Sequence, residues 1–202
     1  MLTKVTYADI LRPSEERYAG LYNAVLIVGG SLFIGLCAQV AVLVPFSPVP
    51  VTGQTFAVLM AGALLGRRRG GLCILAYIIE GAVGLPVFAM GRAGVGVLLG
   101  PTGGYLAGFV AGAYIVGLLA ERGWDRRVGA AVLAMVLGNL AIYCFGLLWL
   151  SCLMGISGVL AVGLYPFLIG DALKVLLAAI LLPSGWKLLV MAGFPAEKGK
   201  QG

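Results

Sequence analysis

The sequence predicts an all-α integral membrane protein with six transmembrane helices and both termini on the cytoplasmic side. Three observations carry that reading. Of the 202 residues, 61% are hydrophobic and 11% charged, against roughly 45–50% and about 25% in soluble domains. The apolar residues gather in runs, several near the roughly 20 residues a spanning helix needs. The basic residues sit at the ends of those runs and sort to one side, as the positive-inside rule requires.

The first span is expected from Tyr22 to Val44, stopped by Pro45, and a proline-rich loop follows from Phe46 to Thr52. The second, Gln54 to Gly66, is short and reaches Arg67-Arg68-Arg69; the third runs from Gly70 to about Val83. A Gly/Pro loop over 84–101 leads to the fourth span, Thr102 to Ala120. After the polar turn Glu121 to Arg127 comes the fifth, Val128 to Leu150, and then the sixth, Tyr165 to Leu182, closed by Pro183. Three regions result: a cytoplasmic segment 1–20, a six-helix membrane domain 21–183 and a cytoplasmic tail 184–202. With this count, Lys4, Arg12, Arg17, Arg67, Arg68, Arg69, Arg122, Arg126, Arg127, Lys187, Lys198 and Lys200 share one side, twelve of the fourteen basic residues. Only Arg92 falls outside, and Lys174 lies within the sixth span. One span more or fewer would scatter this sorting.

Several function classes are excluded. The net charge of +6 marks membrane topology rather than nucleic acid, because no basic face interleaves with aromatics on a soluble fold. Cys37, Cys73, Cys144 and Cys152 form no CxxC pair and histidine is absent, which disfavours a metal site; the cysteines read as small buried hydrophobes. The first 20 residues are too polar for a signal peptide. There is no GxxxxGK[ST], HExxH or GxSxG, so the chain is not expected to be an enzyme or to hold a cofactor.

Ionisable residues within a span are costly, about 2.5–3.5 kcal/mol each near the bilayer centre on insertion scales. The spans hold Glu80, Asp171 and Lys174. Asp171 and Lys174 are spaced i, i+3 and share a helix face. They either neutralise one another or share the pair with a polar ligand; the latter is favoured, because a purely structural pair is readily replaced by apolar residues. Glu80 is a ligand acceptor or an interfacial charge. Arg92, in a glycine-rich outer loop, offers a planar fork suited to a carboxylate. Gln54, Tyr77 and Tyr105 flank the same region. The short second and third spans and the Gly/Pro loops place a pocket at the outer face, beneath loops 45–53 and 84–101. Gly104, Gly108 and Gly112, and separately Gly62 and Gly66, form small-residue strips for helix packing.

Four stretches are recognisable as motifs: Pro48-Val49-Pro50-Val51-Thr52-Gly53-Gln54-Thr55, Gly84-Leu85-Pro86-Val87-Phe88-Ala89, Gly100 to Phe109 (GPTGGYLAGF), and Pro166 to Lys174 (PFLIGDALK). Together they resemble the BioY family, the biotin-specific S components of energy-coupling-factor (ECF) transporters, over roughly residues 20–183. The resemblance implies an ECF S-component-like six-helix fold in the bacterial cell membrane. It implies biotin as transported ligand rather than prosthetic group, captured at the outer face. It also implies two kinds of partner besides membrane lipid: a transmembrane coupling protein and a pair of ATPases. Residue by residue, it places Asp171, Lys174 and Arg92 at the ligand. The family's first helix carries AxxxA for docking the coupling protein; the nearest small-residue pair in this chain is Ser31 and Gly35. Biotin's ureido N–H groups suit Asp171, its ureido carbonyl suits Lys174, and its valerate carboxylate suits Arg92. The bicyclic body wants apolar walls such as Phe46, Val49 or Phe88. The alternative is a self-sufficient secondary carrier for biotin or another small carboxylate vitamin. The scarcity of ionisable residues along the spans argues against it.

Overall fold

The computed structural model describes residues 5–13 and 15–194. Lys4, Lys198 and Lys200 of the sorted charges lie outside the described residues. The helices are α1 (Tyr7–Ile10), α2 (Glu16–Gln39), α3 (Gln54–Ala82), α4 (Val95–Leu99), α5 (Gly103–Ala120), α6 (Val128–Met154), α7 (Val159–Gly163) and α8 (Tyr165–Met191). Helices α2, α5 and α6 and the stretch Val159–Met191 are each long and apolar enough to cross a membrane.

The expected second and third spans are the two arms of α3, folded back on each other. Gly66 has φ +82° and ψ 172°, a conformation essentially reserved for glycine. A straight helix would separate Gln54 from Tyr77 by about 34 Å at 1.5 Å per residue. Instead the Gln54 amide donates to the Tyr77 hydroxyl. Counting both arms gives the six helices expected.

The layers pack through small residues. A Cβ on Gly104 would lie 2.2 Å from Trp149 Cβ, one on Gly108 2.8 Å from the Ile142 carbonyl oxygen, and one on Gly112 3.0 Å from that of Gly138. The strip on α5 is therefore the seam against α6. On the other side of α5, Gly62 of α3 meets the Ala113 backbone. The core lies between α3, α5 and α6, with Ile74, Val116, Met135 and Ile142 almost fully buried.

The structure corrects three expected boundaries. Helix α2 starts at Glu16 and stops at Gln39, not at Tyr22 and Val44. The chain beyond it forms a two-stranded antiparallel ribbon, β1 (Ala41–Val42) with β2 (Val51–Thr52), which prolines 45, 48 and 50 turn between. Helix α8 does not stop before Pro183 but runs through it to Met191. A proline removes one helical hydrogen bond, here the one to the Ala179 carbonyl, and α8 continues despite that loss. Beside Pro183 the Tyr7 hydroxyl donates to the Leu182 carbonyl, and the Tyr7 ring rests 4.5 Å from that of Trp186. Two of the cysteines read as buried, Cys144 and Cys152, are exposed on α6.

Basic residues gather at one end. Arg69 donates to Asp9 at 2.7 Å and to Asn23 at 2.8 Å. Arg67 pairs with Glu121 at 3.3 Å, and Arg126 lies 4.3 Å over the Trp186 ring. The ribbon, α4 and the loop through Arg92 occupy the other end.

Candidate functional site

At that other end the helices and loops surround a partly open cavity, concave and mostly apolar as small-molecule sites usually are. Its walls are largely apolar: Val49, Phe88, Phe109, Ile142 and Phe167 among them. Its polar lining includes Gln54, Thr55, Arg92, Tyr143, Asp171 and Lys174.

Asp171 and Lys174 come from α8, one turn apart, and Lys174 Nζ donates to Asp171 Oδ1 at 3.0 Å. Thr55, on the first turn of α3, joins them. Its hydroxyl accepts from Lys174 at 2.8 Å and donates to Asp171 Oδ1 at 3.2 Å. The Tyr143 hydroxyl of α6 donates to the other oxygen, Asp171 Oδ2. Three helices thus converge on one carboxylate, which is 6% exposed. A buried charge persists only when paired and hydrogen-bonded, and this one has both.

Gln54 lines the same space. Thr52 fixes it from the ribbon, donating to Gln54 Oε1 at 3.0 Å. Tyr77 is fully buried behind it, relaying the Gln54 contact to the Val87 carbonyl at 3.1 Å. Tyr105 lines the cavity and is tied by its hydroxyl to the Gly163 carbonyl at 2.7 Å. Arg92 lines the cavity from an exposed loop position, and among the described residues its guanidinium has no hydrogen-bonding or ion-pair partner. The loop beneath it is shaped by Met90, at φ +63°. Gln39 of α2 clamps that loop, accepting from Gly91 N at 2.8 Å and donating to the Phe88 carbonyl at 3.3 Å.

Of the residues singled out in the sequence, Asp171, Lys174, Arg92, Gln54 and Tyr105 share the cavity, and Tyr77 supports it. Glu80 and Phe46 lie elsewhere. Glu80 faces α2, where the Ser31 hydroxyl donates to it at 2.6 Å. Phe46 is 65% exposed, while Val49 of the same loop is buried and lines the cavity. Ser31 and Gly35 are both buried against α3 and Val87, so this pair is no outward surface. The outward face of α2 instead carries Leu21, Val25, Val28, Leu32 and Leu36. Sequence reasoning passed over Thr55, although it closes the first motif. It also passed over Tyr143, a lone hydroxyl deep in an apolar span.

The comparisons with known proteins agree with this architecture. The BioY family profile matches residues 11–190. The "Biotin transporter BioY" of Rhizobium etli is 36% identical, over 82% of this chain and 92% of the relative. That of Thermotoga maritima is 38% identical, over 81% of this chain and 90% of the relative. A crystal structure of the S-component for biotin from an ECF-type ABC transporter superposes with a TM-score of 0.76 at 23% identity, covering 86% of this chain and 95% of that one. The family match spans α2 to the last turn of α8 and every motif that lines the cavity: this chain is a membrane protein of the BioY family.

Proposed function

We propose that this chain is the substrate-binding membrane subunit for biotin uptake. It captures biotin at the outer face and delivers it inward with an ATP-driven coupling module. The observation that carries this is the Asp171–Lys174–Thr55–Tyr143 cluster set into a largely apolar cavity, with Arg92 also lining it. Biotin has complementary parts: a ureido group that both donates and accepts, an apolar bicycle and a carboxylate on a flexible arm. The cluster suits the ureido group, because the carboxylate accepts from N–H and the ammonium donates to a carbonyl. Arg92 suits the carboxylate arm.

The relatives named biotin transporters support biotin as the ligand. The likeness to an S-component supports the two partners, a transmembrane coupling protein and an ATPase pair. The exposed apolar face of α2 suits a coupling partner within the bilayer. The basic end then faces the cytoplasm of a bacterial cell and the cavity faces outward.

The test is biotin binding by the detergent-purified chain. Saturable binding tighter than micromolar is expected; its absence would sink the proposal. Uptake by vesicles that contain this chain alone, without any ATPase, would favour a self-sufficient carrier instead.

A further inference from the structure

Beside Lys174 lies a second, smaller void between α3, α6 and α8. Its walls are apolar, with Phe56, Leu59 and Met135, except where Thr55, Lys174 and Asn139 reach it. Its free volume is about 10 Å³, close to that of a single water site. Asn139 is 9% exposed, and its Oδ1 is buried with no hydrogen-bond partner in the protein. Buried polar groups are nearly always satisfied, so such an acceptor calls for a donor.

The donor count is restrictive. Thr55 has one hydroxyl hydrogen, and it goes to Asp171 Oδ1 at 3.2 Å. Lys174 has three ammonium hydrogens. Two go to Thr55 Oγ1 at 2.8 Å and Asp171 Oδ1 at 3.0 Å. The third is unassigned, and Lys174 lines both the ligand cavity and the second void. Asn139 lies four residues before Tyr143, so one face of α6 addresses both members of the pair.

We propose that this second void binds one ordered water, which accepts the third Lys174 hydrogen and donates to Asn139 Oδ1. Asn139 is thereby a positioning residue for Lys174. It gives the ammonium a further acceptor that competes with the acceptor on a bound ligand. The competition part rests on the reading of Lys174 as a ligand group; the water bridge does not.

The decisive experiment needs no ligand. Thermal unfolding of the full chain is measured for wild type, N139L, K174M and the double variant. A bridge between the two residues makes the effects non-additive, by about 2–4 °C for a coupling near 1 kcal/mol in a chain of this size. Additive shifts would overturn the proposal. Should leucine prove too bulky for the void, N139A takes its place in the cycle. Biotin titration adds the second readout. N139L removes the competing acceptor and tightens binding about 3–10-fold, whereas N139D strengthens the competitor and weakens it at least tenfold. Weakening by both substitutions would mean only lost packing and would overturn the positioning role. If wild type binds no biotin, the proposed function fails, and the ligand-free cycle still decides whether Asn139 and Lys174 are coupled.

Discussion

At the scale of single residues, Asp171 is the best-supported charge in the cavity and Tyr143 is its least obvious partner. A hydrogen bond to a charged group contributes about 1.5–3 kcal/mol. Removing it should therefore be visible in binding. Tyr143→Phe keeps the ring and deletes the donor to Asp171 Oδ2; biotin affinity should fall about tenfold or more, measured by calorimetry on purified protein. Asp171→Asn and Lys174→Ala should each weaken binding at least tenfold, about 1.4 kcal/mol. Glu80→Gln is the contrasting case. Its side chain meets Ser31 rather than the cavity, so affinity should stay within about twofold. A large loss there would mean that the contact between α2 and α3 shapes the cavity. The sequence made Asp171, Lys174 and Glu80 equally conspicuous, since all three are charges in apolar runs. Which of them face a common space depends on helix rotation, and these nearly uniformly apolar spans carry little periodic signal to set it. Tyr143 and Thr55 were harder to see for a related reason: one hydroxyl in a membrane span is inexpensive and stands out only once its partner is known.

At the scale of elements, the spans were legible because the bilayer fixes their length and composition. The Arg67-Arg68-Arg69 run marked the hairpin in α3 because three adjacent charges have to leave the hydrocarbon. What composition could not reveal was geometry supplied by distant contacts. The ribbon of Ala41–Val42 and Val51–Thr52 is two residues deep, too short for an alternating pattern. Pro183 reads as a stop, yet α8 runs through it to Met191, and Tyr7, 175 residues before Leu182, donates to the Leu182 carbonyl there. Gly66 carries the sharpest demand of any single position. Its φ of +82° with ψ 172° is strained for any side chain by about 1–3 kcal/mol, and an added Cβ would come within 3.0 Å of Glu121 Oε1. Gly66→Ala should lower the melting temperature by about 3–10 °C in a chain of this size, read by thermal-shift unfolding in detergent. An unchanged melting temperature would mean that the reversal is not held at that residue.

At the scale of the whole molecule, the two ends differ in kind. The cavity end is built from loops and a short ribbon around an open apolar space. The basic end is tied shut by side chains: α1 is strapped to the α3 hairpin through Asp9 and Arg69 at 2.7 Å, with Arg69 also held by Asn23. The same Asp9 carboxylate accepts from the Thr6 backbone N–H at 3.1 Å and its hydroxyl at 2.8 Å. Burial alone would raise the Asp9 carboxyl, but the Arg69 guanidinium and the two Thr6 donors outweigh it and hold it below its ordinary value. The sign follows from linkage. A carboxyl depressed in the folded state contributes stability at any pH above its unfolded value, about 3.9. That contribution is lost as pH falls from there through the lower folded value. The strap should therefore stay closed from neutral pH down to about 4 and loosen below it, before the α5–α6 seam does, because that seam is packed through glycines and apolar side chains. Pulse hydrogen exchange over residues 5–20 at pH 6 and pH 3 reads this directly: protection of α1 should drop at pH 3 while α5 and α6 stay protected. Asp9→Asn keeps the shape and removes the titrating group. In that variant α1 should be less protected at pH 6 and should show little further loss at pH 3. Equal acid sensitivity in both proteins would place the switch elsewhere in the basic end, with Glu121, paired with Arg67 at 3.3 Å, the next carboxylate to substitute.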